Sequence, residues 1–67
     1  MRLIDSDGDL AVAMTHDELR LLASCIGEAL EAVEEWEFST RLGADVSAAR
    51  TLRSEINDVL KDAPDAP

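Results

Sequence analysis

The sequence predicts an α+β domain: an N-terminal β-hairpin packed on two main α-helices joined by a short helical turn. A turn dipeptide, Asp7-Gly8, separates two short apolar segments, and apolar residues then recur at helical spacing from Leu19 onward. A second helical repeat begins after Gly43 and Asp45. The 67 residues suffice for one domain, placed at 1–61, while the closing "DAPDAP" of 62–67 has no apolar period and reads as a disordered tail.

The hairpin is expected at 2–5 and 9–14. Asp-Gly suits a type I′ turn, in which both central residues need positive φ, and that turn sets Leu3 opposite Val12 and Met1 opposite Met14. The register leaves one apolar face, which calls for a helix beneath it. Thr15 then opens a helix expected over 16–35. Thr15 can cap, Glu18 completes a capping box, and Met14 with Leu19 is placed as a hydrophobic staple. Leu19, Leu22, Ile26, Ala29, Val33 and Trp36 follow in steps of three and four, a core-facing seam, with Arg20, Ser24, Gly27, Glu31 and Glu34 on the opposite stripe. Leu21, Cys25 and Ala32 widen the apolar arc beyond what one hairpin covers, so self-association as a two-fold homodimer is expected. A helical turn follows at 37–42, with Phe38 and Leu42 paired and Gly43 suited to end it. Asp45 caps a final helix, 46–61, whose apolar positions are Val46, Ala49, Leu52, Ile56, Val59 and Leu60.

Composition narrows the function classes. One Phe, one Trp and no Tyr leave an aliphatic core of modest area, a further reason to expect oligomerisation. A net charge of −9 opposes unaided binding to a phosphate backbone or an anionic bilayer. The single cysteine cannot form an internal disulfide, and neither a signal peptide nor an apolar span is visible, so a cytoplasmic protein is expected. Arg outnumbers Lys five to one, a bias of GC-rich bacterial or phage genomes.

No catalytic constellation is legible. His16 and Cys25 are the one nucleophile–base pair on offer, yet they lie roughly 13 Å apart along the helix axis and on opposite sides of it. Cys25, between Leu22 and Ile26, reads as a buried inert thiol and His16 as a solvated flank. Asp5, Asp7 and Asp9 alternate as in a calcium loop, but Gly8 stands at the fourth position and His16 at the twelfth, so a polar turn accounts for them better. No enzyme, metal or cofactor is expected.

Two segments remain. Residues 40–56, "TRLGADVSAARTLRSEI", have the outline of a helix-turn-helix carrying Arg50 and Arg53, which makes a DNA-binding regulator the alternative reading. Residues 28–38, "EALEAVEEWEF", hold five carboxylates without a base, beside the only Trp and the only Phe. A charge run is ordinarily a solvated helix face. Here Glu31 and Glu35 repel at i,i+4, and aromatic residues of this kind anchor interfaces. Glu28, Glu31, Glu34, Glu35, Trp36 and Glu37 are therefore the expected binding residues for a basic protein partner.

From Glu18 to Ile56 the chain resembles a family of short, mostly uncharacterised bacterial proteins with an E-L-x-L-L helix, then E-F-x-T-R-x-G, then a last helix. Glu37, Phe38, Thr40, Arg41 and Gly43 carry the specific part of the pattern. The resemblance implies a Pro or loop before E-F, and this chain has no Pro there. Some members resemble small immunity proteins that neutralise a toxin, so it implies an interaction module rather than an enzyme.

Overall fold

The computed structural model describes residues 1–63, which form β1 (Arg2–Asp5), β2 (Ala11–Ala13), α1 (His16–Ala32), α2 (Glu35–Leu42) and α3 (Val46–Asp62). The architecture is the α+β class read from the sequence: an antiparallel hairpin, then three helices, with α1 packed on α3 and α2 against α3. The last helix runs through Asp62, the first residue of the expected tail, and residues 64–67 of that tail lie outside the described residues.

The hairpin keeps the expected register at its open end, with Arg2 opposite Ala13 and Leu3 opposite Val12, then slips so that Asp5 faces Ala11. Ile4 is the extra residue of a bulge. The tight turn does not form. Gly8 has φ 86°, but Asp7 is not in the left-handed region, so the type I′ requirement fails at its first position. Instead the Asp5 carboxylate accepts the Asp7 N–H at 3.0 Å, an Asx turn that spreads the connection over residues 6–10 and delays β2 to Ala11. The helix expected beneath the apolar face does not cover it, and Leu3 and Val12 stay exposed.

Helix starts are the most locally determined features. Thr15 Oγ1 accepts the Glu18 N–H at 3.1 Å, and Glu18 Oε1 accepts the Thr15 N–H at 2.7 Å. The Met1 ammonium sits on the other Glu18 oxygen. That ammonium, and then the Thr15 N–H, hold the Glu18 carboxyl below its ordinary pKa. Thr15→Ala should lower stability by about 1 kcal/mol, read as a reduced urea midpoint. An unchanged midpoint would count against this helix start. At α3, Asp45 Oδ1 accepts the Ala48 N–H and the Ser47 hydroxyl, each at 2.9 Å, and the two bonds depress its pKa in that order. A depressed folded-state pKa stabilises above the unfolded value and is lost as pH falls through the folded one. The stability difference between wild type and Asp45→Ala should therefore be full at neutral pH and close in acid, beginning near the unfolded value of 3.8. A difference that stays constant from pH 7 to pH 2 would remove this cap from the account.

Helix α1 ends at Ala32, three residues before the expected end, and Val33 and Glu34 are extended at ψ 127° and 142°. The loop implied before E-F is thus present without a Pro. The reason is electrostatic and steric together. Continuing α1 would crowd Glu31, Glu34 and Glu35 at its negative end, whose last turn holds no basic residue of its own, whereas restarting at Glu35 puts Glu35 and Glu37 at the positive end of α2. Val33 is β-branched and favours the extended step. Glu31 and Glu35 consequently do not share one helix, and the expected i,i+4 repulsion between them is removed. Trp36 leaves the α1 seam and rides on α2.

The packed face of α1 also differs from the expected one. Ala23 is buried, and a Cβ built on Gly27 would lie 3.2 Å from the Arg53 guanidinium, so α3 crosses α1 at Gly27, on the stripe opposite the expected seam, and beside Ala23. Small side chains allow the close approach, and Arg53 lays its length over the gap. Among the described residues only Ala23, Phe38 and Ile56 are buried apolar ones. The molecule measures 40 × 29 × 16 Å, so its short axis is little more than one helix with side chains, about 10–12 Å.

Candidate functional site

The acidic segment is a bent edge rather than a continuous stripe. Glu28 and Glu31 ride on the last turns of α1, Glu34 is the N-cap position of α2, and Glu35, Trp36 and Glu37 form its first turn. Glu28, Glu31, Glu34 and Glu35 are exposed, and Glu37 is half-buried. Trp36 is 78% exposed, the most of any large apolar side chain described. Glu34 makes no capping hydrogen bond with its side chain, which leaves its carboxylate directed by neither helix end.

This edge is not free of internal bases, as the sequence reading had it. Arg41 Nε stands 3.5 Å from Glu37 Oε2, one turn along α2. From α3, Arg50 lines one shallow groove with Glu35 and Asp45 and another with Glu31 and Asp58. Sequence spacing gave no sign of the second arrangement, because it depends on how α3 returns beside α1.

The α2–α3 connection, Gly43 to Asp45, has the three-residue length of a helix-turn-helix, and Gly43 takes the left-handed conformation at φ 75°. Of the arginines of that unit, Arg53 lies against Gly27 of α1, and Arg50 is exposed and borders the two grooves that Glu35 and Glu31 also line.

A second feature was read differently from the sequence. Cys25 is exposed, not buried, because α3 packs against the Ala23–Gly27 side of α1 and leaves the Cys25 side open. There it lines an apolar groove of about 310 Å³ with Ile26 and Ala29. Phe38 and Leu42 of α2 and Leu52 of α3 form the rest of the floor. Ala44, Ala48 and Ala49 leave the space open, and the run of small residues in "GADVSAAR" was the available signal for it. The groove has no ionisable side chain other than the thiol.

Among the described residues no three His, Cys, Asp or Glu side chains gather as a metal site requires. No helix among them is long and apolar enough to cross a membrane. Comparison with family models, with curated protein sequences and with solved structures gave no match to this chain.

Proposed function

We propose that the chain is a non-catalytic, acidic protein-interaction module that binds a basic protein partner along Glu28, Glu31, Glu34, Glu35, Trp36 and Glu37. The observation that supports this best is Trp36. A Trp that could bury more apolar surface than any other side chain of the molecule stands 78% exposed, between the exposed Glu35 and the half-buried Glu37. Trp is prominent among interface anchors, and surrounding charge of one sign steers an oppositely charged partner and rejects like-charged ones. An inhibitory or immunity-type role in the cytoplasm fits such a surface, as does the family resemblance of residues 18–56. In this reading the working unit is a homodimer.

The test is capture from a lysate of the source cell on immobilised protein. A basic protein retained by the wild type, eluted by salt and absent when Trp36→Ala is the bait, is the expected result. Equal retention by that variant would take the anchor out of the reading.

The three-residue turn before α3 favours one other reading, a DNA-binding regulator built on residues 40–56. Against it stand the net charge of −9 and the carboxylates, Glu35 and Asp45 in one and Glu31 and Asp58 in the other, that line the grooves Arg50 borders. Duplex binding at moderate salt that is lost in Arg50→Ala would establish it in place of the first.

A further inference from the structure

The side of the molecule that carries the Cys25 groove is uncovered. Cys25 of α1, Leu42 of α2 and Leu52 of α3 line the groove and are exposed, Leu52 at 50%. The chain exposes 5369 Å², against about 4,200 Å² for a compact monomer of its mass, an excess of roughly 1,200 Å². Its radius of gyration of 13.6 Å likewise exceeds the roughly 11 Å of a compact domain this long. Domains bury their apolar faces between two layers, and here one layer of helices is present.

We infer that a second copy of the chain supplies the missing layer, meeting the first across the groove between α1, α2 and α3. This rests on the homodimer part of the proposed function and assigns it a surface. Charge selects the occupant. In a two-fold contact each patch meets itself, so a chain of net charge −9 pairs with least repulsion through a part of its surface that carries no carboxylates. The groove lining is such a part, whereas a basic partner would be drawn to the acidic edge around Trp36. The hairpin is apolar as well, but Asp5, Asp7 and Asp9 interrupt it, so it does not offer a charge-free patch.

Cys25 reports on this face directly. In reduced wild-type protein, the rate of alkylation by N-ethylmaleimide should fall at least about tenfold between nanomolar and tens of micromolar protein, as dimerisation covers the groove. Over the same range, sedimentation should pass from 7.3 kDa to twice that mass. Leu52→Glu, checked for helix content by circular dichroism, should remain monomeric with a fast thiol at both concentrations. A wild type that is monomeric throughout, with unchanged thiol reactivity, overturns both the homodimer reading and this surface. A wild-type dimer whose thiol stays fast overturns the surface alone. A thiol already protected in dilute monomer assigns the face to a segment of the same chain. Protection of dilute protein only on adding a lysine-rich amphipathic peptide assigns it to a heterologous partner. Either of these results overturns the inference.

Discussion

Phe38→Ala leaves the chain largely unfolded at room temperature. Phe38 is 2% exposed, the most deeply buried large side chain described, and it joins the floor shared by α1, α2 and α3. Truncating a buried Phe costs about 3–5 kcal/mol through lost transfer energy and the cavity left behind. A chain of 67 residues has roughly 3–10 kcal/mol to lose at typical stability per residue. The core offers little to compensate, since the other buried apolar residues among those described are one alanine and one isoleucine. Trp36→Ala, two positions away and removing a larger side chain, should shift stability by no more than about 0.5 kcal/mol, as surface substitutions do. Circular dichroism during urea titration separates the two. A Phe38→Ala midpoint near wild type, with Trp36→Ala strongly lowered, would return Trp36 to the core and invalidate the helix break at Val33–Glu34.

That pair of variants also marks where sequence reasoning ran out. The capping box at Thr15 and the Asp45 cap were legible because each depends on residues within one helical turn. The Leu3–Val12 pairing was legible from alternation, but the bulge at Ile4 was not. It follows from Asp5 capturing the Asp7 N–H, a local competition that turn preferences do not rank. The seam from Leu19 onward identified α1 correctly as a helix and misassigned its contacts. Periodicity shows which face is apolar; it does not show that α3 can come closer on the side of Ala23 and Gly27. The seam residues Ile26 and Ala29 therefore line an open groove instead of filling a closed core, and Leu22 stays exposed. At the candidate site, the acidic residues and Trp36 were all legible as a group. Their bend at Val33–Glu34, and the approach of Arg50, depended on tertiary arrangement.

The second large effect concerns rate rather than stability. Replacing Glu31, Glu34 and Glu35 together by Gln removes three of fifteen acidic groups from one edge. Folding should be unchanged within about 0.5 kcal/mol, because the helix-end terms oppose each other. Glu31 is unfavourable at the negative end of α1, and Glu35 is favourable at the positive end of α2. Association with the captured basic partner should slow by roughly tenfold at low salt, the scale on which local charge raises encounter rates. Dissociation should change less, since the Trp36 contact is retained.

The central claim is that this edge steers a basic protein, and its most direct measurement is the association rate of wild type and triple variant with that partner as ionic strength rises. The wild-type rate should fall steeply as salt shortens the Debye length to about 8 Å near 0.15 M, while the variant starts slower and falls less, so that the two curves converge. Parallel curves of equal height, with the variant associating at the wild-type rate at every salt concentration, would contradict the claim and leave the carboxylates of residues 28–37 as a solubilising surface.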